Sequence, residues 1–111
     1  MNNFVPLQTI SQKPETKVYS IVIPHKNTAS LLERLLDSIP WVLSPQVIVV
    51  DNNSSDEELQ QVEMLLQRFD FLLCHSTGCG AGDARNVGLQ QATGQWVLFA
   101  DSDDYFMPEA S

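Results

Sequence analysis

The sequence predicts an α/β fold, a three-layer, Rossmann-like, mostly parallel sheet with helices on both faces. Three observations carry that expectation. Short β-rich apolar runs alternate with amphipathic helical segments in the order β-α-β-α-β-α-β, with short connections. The last run, Trp96 to Ala100, is apolar throughout, as strands buried on both faces of a parallel sheet are. Each run also ends in polar residues: His25-Lys26-Asn27, Asp51-Asn52, His75-Ser76, and the acids Asp101, Asp103 and Asp104. Open α/β sheets bind ligands at those ends.

Each element has a local reason. Residues 1–17 are polar and interrupted by Pro6 and Pro14, and they read as a flexible polar leader. Val18 to Ile23 is β-rich and is stopped by Pro24, giving a first strand. A helix opens at Asn27-Thr28, with Leu32, Leu35, Leu36 and Ile39 on one face and a Ser30/Glu33 capping box near its start; Pro40 ends it. Val47 to Val50 forms the second strand. Ser54 to Glu58 then supplies caps and acids at the positive end of a second helix, with Leu59, Val62, Leu65, Leu66 and Phe69 as its buried stripe. Phe71 to Cys74 is a third short strand. The loop His75–Gly82 leads into a helix from about Asp83 to Ala92. Its inward face (Ala84, Val87, Gly88, Gln91) is small enough to lie close on the sheet, and Gly94 breaks it before the acidic strand. The usual doubly wound strand order, 3-2-1-4, opens a crevice between strands 1 and 4, beside the acidic cluster.

Composition narrows the function. The 111 residues suit one domain, and a net charge of −8, from 14 acidic and 6 basic residues, argues against nucleic acid or anionic lipid as a partner. No run of about 18 apolar residues offers a transmembrane segment, and no signal peptide is visible. Two cysteines make no disulfide framework, so reduced thiols and a cytoplasmic or membrane-peripheral location are expected.

Three carboxylates within four positions repel one another unless something positive sits among them. A hard divalent cation fits, and a solvated acidic turn is the plain alternative. The glycine loop fails the dinucleotide fingerprint, because Gly78-x-Gly80-x-x-Asp83 puts an acid at the third position and follows strand 3. It fails the P-loop for want of Gly-Lys-Ser/Thr. Cys74, His75 and Cys79 could be zinc ligands but lie on one loop without a fourth partner, and as a nucleophile pair the neighbours Cys74 and His75 point to opposite faces.

Four blocks stand in order and at matching intervals: Tyr19–Asn27, Val49–Asp56, Gly82–Gly88 and Phe99–Asp104. Together they resemble the nucleotide-binding half of the glycosyltransferase family 2 enzymes, which have the GT-A fold. The resemblance runs from Val18 to Phe106. It implies that Pro24, His25, Lys26 and Asn27 lie along the base and ribose of a nucleoside-diphosphate sugar. It implies further that Asp51 or Asn52 reaches the base and that Arg85 lies near the diphosphate. Asp101-Ser102-Asp103-Asp104 would be the DXD-type motif, with Asp101 and Asp103 on the nucleotide sugar and Asp103 and Asp104 on Mn²⁺ or Mg²⁺. The family often has Tyr at His25 or Lys26 and a second Asp at Asn52, so the base recognised is left open. Seven residues follow Asp104, where family members continue into acceptor-binding elements and a carboxylate general base. The expectation is therefore a GT-A donor-binding half-domain over 18–111, from an inverting transferase, with no general base identified. The rival is a non-catalytic nucleotide-binding or assembly module that keeps the sheet. A homodimer through the 95–100 strand edge is a further expectation.

Overall fold

A computed structural model describes residues 18–78 and 80–101. The expected leader, Cys79, Asp103 and Asp104 lie outside the described residues. The elements are β1 (Tyr19–His25), α1 (Ala29–Ser38), β2 (Gln46–Asp51), α2 (Asp56–Leu65), β3 (Leu72–His75), α3 (Gly80–Gln91) and β4 (Trp96–Phe99), with a short 3-10 turn at Trp41–Leu43. The described strand pairs are all parallel and the order is β3-β2-β1-β4, the doubly wound arrangement the alternation predicted.

Strand parity sorts the core into two layers. Ile21, Ile23, Val47 and Val49 pack with Leu32, Leu35 and Leu36 of α1 and Val62 and Leu65 of α2. Val22, Ile48 and Val50 pack on the other face with Ala84 of α3. The small inward face of α3 lets it sit tightly: a Cβ at Gly88 would come within 2.3 Å of Val22 Cγ1. Below the sheet, the fully buried Ser20 hydroxyl donates to Gln46 Oε1 at 2.6 Å and accepts the Gly94 amide at 2.8 Å, fixing the turn between α3 and β4.

Several boundaries differ from the sequence expectation for physical reasons. Pro24 lies inside β1 instead of ending it. Even-numbered residues of β1 address β4, since Val18 and Val22 carbonyls accept the Trp96 and Ala100 amides at 2.9 and 3.0 Å, while the His25 carbonyl accepts the Asn52 amide at 2.8 Å. The missing proline N–H therefore falls on the β4 side, beyond the last β1–β4 pair Val22↔Phe99, and costs no rung to β2. The Ser30/Glu33 capping box does not form. Helix α1 begins at Ala29, Thr28 makes no side-chain cap, and the Ala29 amide is donated to Glu58 Oε1 of α2 at 3.0 Å. Glu33 turns outward instead to pair with Arg68, which also reaches Asp37 at 3.2 Å. Helix α2 stops at Leu65, so Leu66 is exposed and Phe69 packs from a following turn against Trp41, with ring centroids 5.9 Å apart. Gln91 is exposed, contrary to its assignment to the inward face.

The largest difference is in β4. The run expected to be buried on both faces leaves Trp96, Leu98 and Phe99 at 64%, 42% and 48% exposure. Among the described residues β4 pairs only with β1 and stands at the sheet edge, where Val97 alone of its four residues packs against the α3 layer. No helix among the described residues is long and apolar enough to cross a membrane.

Candidate functional site

The carboxyl ends of β1, β2 and β3 finish level, with His25, Asp51 and His75 in one register row. Alternation along the strands places that row on the α1/α2 face, and the next residues, Asn52 and Ser76, on the α3 face. Asp51 is almost completely buried. Its Oδ2 accepts the Ser54 amide at 3.2 Å, and its Oδ1, equally buried, has no hydrogen-bond partner among the described residues. A buried carboxylate oxygen left open is costly unless a donor arrives.

His25 is buried beside Asp51, with Nδ1 at 3.2 Å from Thr28 Oγ1. Burial lowers the imidazole pKa below its ordinary value, and the nearby charges of Asp51 and Glu58 oppose that shift. Pro24 is half-buried and Lys26 is exposed. Asn27 takes the left-handed conformation (φ 52°), in which its Oδ1 accepts the Ser55 amide at 2.8 Å and its own amide is donated to Ser54 Oγ at 2.9 Å. Asn27 thus ties the β1–α1 loop to the β2–α2 loop.

Asn52 is buried and its carboxamide is engaged inside the protein. Its Nδ2 donates to Ser76 Oγ and to the Gly78 carbonyl, both at 3.2 Å. Of the two residues offered for the base, Asp51 retains an open acceptor and Asn52 holds a neighbouring turn. Across β1, Arg85 on α3 faces Asp101, just past β4, with Nη2 at 3.6 Å from Oδ1; both side chains are largely exposed. The structure thus gathers Pro24, His25, Lys26, Asn27, Asp51 and Asn52 at the carboxyl ends of β1 and β2, and pairs Arg85 with Asp101 past the end of β4. Among the described residues, no group of three His, Cys, Asp or Glu side chains could hold a metal. Cys74 packs toward the α3 layer and His75 is exposed, so these neighbours do not converge.

Two residues to which the sequence alone assigns no role shape the site. Glu58 stoppers α1 as described, so the first amide of that helix is not offered to a ligand. Asp83, in sequence only an objection to a dinucleotide fingerprint, accepts from Ser76 Oγ at 2.5 Å and from the Gly78 amide at 3.2 Å. An acid just inside a helix that follows a Ser-Thr-Gly turn is the signal that could have found it.

The parallel sheet, its helices on both faces and its polar strand ends define a doubly wound α/β domain, a class that binds ligands at the carboxyl edge of its strands. The sequence profile described as "Glycosyl transferase family 2" matches residues 20–111, and the chain belongs to that family. It is 36% identical over 97 residues to the Staphylococcus aureus poly(ribitol-phosphate) beta-N-acetylglucosaminyltransferase TarS, a match covering 82% of this chain and 17% of TarS. The crystal structure of S. aureus TarS 1–349 in complex with UDP-GlcNAc superposes with a TM-score of 0.63 at 36% identity, covering 78% of this chain and 27% of that one. The mannosyltransferase PcManGT from Pyrobaculum calidifontis, in complex with GDP-Man and Mn²⁺, gives 0.70 at 28% identity, covering 83% and 29%. The fold is GT-A, as the sequence resemblance implied. The chain spans less than a third of the length of these relatives.

Proposed function

We propose that this chain is the donor-binding part of an inverting glycosyltransferase that takes a nucleoside-diphosphate sugar with a divalent metal. The observation that carries this reading is Asp51 Oδ1, buried at the strand ends without a hydrogen-bond partner among the described residues. A base N–H is the kind of donor it lacks. Pro24 in β1 and Lys26 just past it neighbour His25 in the chain, and Arg85, paired with Asp101 past the end of β4, carries a guanidinium shaped for phosphate oxygens. Asp101 contributes a hard oxygen donor beside it, the chemistry that Mn²⁺ and Mg²⁺ take. Asp103 and Asp104 would hold the metal, which when bound supplies Lewis-acid neutralisation of the departing diphosphate. The bound UDP-GlcNAc and the GDP-Man with Mn²⁺ seen in the relatives support the same ligand class.

Calorimetric titration of uridine and guanosine diphosphates, with and without Mn²⁺, tests the reading. Binding that requires the metal and is lost in Asp103→Ala or Asp104→Ala is the expected result. No binding at millimolar nucleotide overturns it.

One observation favours a second reading, a module that keeps the sheet for assembly. Trp96, Leu98 and Phe99 leave the β4 edge apolar and open, a surface suited to a second copy of the chain. A monomer by light scattering at about 100 μM, well above ordinary micromolar association, counts against pairing through that edge.

A further inference from the structure

We propose that Asp83 is a positioning residue which, together with Asn52, sets the wall of the site and aims Arg85. This rests on the donor-site reading above. The turn Ser76–Gly78 follows β3 and lies beside Asp51 and Asn52. It is gripped from two sides. From β2, Asn52 Nδ2 donates to Ser76 Oγ and to the Gly78 carbonyl, both at 3.2 Å. From α3, Asp83 Oδ2 accepts the Ser76 hydroxyl at 2.5 Å and the Gly78 amide at 3.2 Å. The Ser76 amide is in turn donated to the Asp51 carbonyl at 2.8 Å. Both peptide groups of Gly78 and the hydroxyl of Ser76 are thereby committed to two side chains from different elements.

The grip has no slack. A Cβ at Gly78 would come within 2.2 Å of Asp83 Oδ2 and 2.3 Å of its Cγ. Only glycine lets the carboxylate lie against the turn.

Anchoring Asp83 also fixes the rotation of α3 at its start. Residues two apart on an α-helix are about 200° apart around its axis. With Asp83 held against the β3 turn, Arg85 must look the other way, across β1, where its Nη2 lies 3.6 Å from Asp101 Oδ1. The exposed Arg85–Asp101 pair is too weak to orient the guanidinium by itself. Asp83, with two internal bonds, is the stronger determinant. It does not touch the ligand in this scheme; it acts through Arg85 and the turn.

The test is titration of uridine diphosphate with Mn²⁺ and guanosine diphosphate with Mn²⁺ into the parent and a set of single and double variants. Asp83→Ala and Gly78→Ala, which break the grip from opposite sides, should each weaken the diphosphate about tenfold or more, the equivalent of about 1.4 kcal/mol. Asp83→Asn keeps an acceptor oxygen at the same place and should stay within about threefold, since neutral bonds still contribute. Ser20→Ala removes a buried hydroxyl at the far end of the sheet; it should lower the melting temperature without changing affinity. In a double-mutant cycle, Arg85→Ala should cost much less in the Asp83→Ala background than in the parent.

Additive losses from Asp83 and Arg85 overturn the aiming role. So does an Asp83→Asn loss as large as that of Asp83→Ala, which would make charge and not position the cause. Parent-like affinity in both Asp83→Ala and Gly78→Ala overturns the grip while leaving the donor-site reading intact. Should Asp83→Ala not fold, the Gly78→Ala titration alone decides whether the grip matters for binding. A parent chain that binds neither nucleotide overturns both proposals together.

Discussion

Glu58 and Ala29 are 29 residues apart in the chain, and the Glu58 Oε1 accepts the Ala29 amide at 3.0 Å. The first orphan donor of one helix is satisfied by an acid from the first turn of the next. Ser55 caps α2 itself, accepting the Glu58 amide at 3.3 Å, so one residue joins both helix starts. Glu58→Ala should destabilise the protein by about 1 kcal/mol, the ordinary cost of a lost cap. Glu58→Gln should recover most of that, because an amide oxygen still accepts. Urea unfolding with an unchanged m-value is the measurement; equal losses in both variants would mean the charge matters more than the bond.

His25 makes stability depend on pH. Burial lowers its folded-state pKa, so the unfolded chain, near 6.5, binds more protons over the interval between the two values. Its contribution is intact above about pH 6.5. It is lost as pH falls from there toward the folded pKa, at no more than about 1.4 kcal/mol per pH unit. His25→Gln should therefore flatten the acid side of the stability profile relative to the parent. Asp51 and Glu58 both hold the pKa up, so Glu58→Gln should steepen it. Parallel profiles for parent and His25→Gln between about pH 7.5 and 5.5, the range His titration spans, would contradict this account.

Arg85→Ala should weaken a nucleoside diphosphate more than the matching nucleoside, because only the former presents oxygens to a guanidinium. Stability should hardly change. The Arg85–Asp101 pair is long at 3.6 Å and exposed, and such pairs contribute about 0–1 kcal/mol. Equal losses for both ligands, by calorimetry, would assign Arg85 to the fold.

Two glycines of α3 should respond in opposite directions to alanine. At Gly88 the new methyl would meet Val22 Cγ1 at 2.3 Å and Val50 Cγ2 at 3.2 Å, both on stiff β-branched side chains. Pushing α3 off the sheet should cost about 1–3 kcal/mol. At Gly82 nothing among the described residues lies within 4 Å of the added Cβ. There alanine should stabilise by about 0.4–1 kcal/mol through the unfolded chain. Thermal melts of the two variants test the pair.

What is legible in the sequence is what repeats along it. Alternating β-rich and amphipathic runs point to the parallel sheet and its order, and a polar residue follows each run at the edge where open α/β sheets bind ligands. Contacts between distant segments are not legible. Glu33 sits where a capping box would use it, but Arg68 on another element wins it. Asn52 stands where a base contact is a fair expectation, and nothing along the sequence shows that its Nδ2 also donates to Ser76 and Gly78. The Trp96–Ala100 run resembles a strand buried on both faces, because apolarity records what a strand tolerates and not what neighbours stand beside it. Asp83 escapes notice when a local motif is judged only by the cofactor it fails to match.

Pro24 has a consequence for whatever enters the crevice. An ordinary residue there would point an amide toward Ala100, at the mouth between β1 and β4. A ligand settling over it would have to leave that donor paired or strip its water, at roughly 1–3 kcal/mol if unpaired. A proline ring presents no such donor. Under the donor-site reading, it would offer a flat ring a rigid apolar surface with no amide of its own to dehydrate. On that reading, the rung forgone on the β4 side is also one backbone donor fewer for a guest to dehydrate.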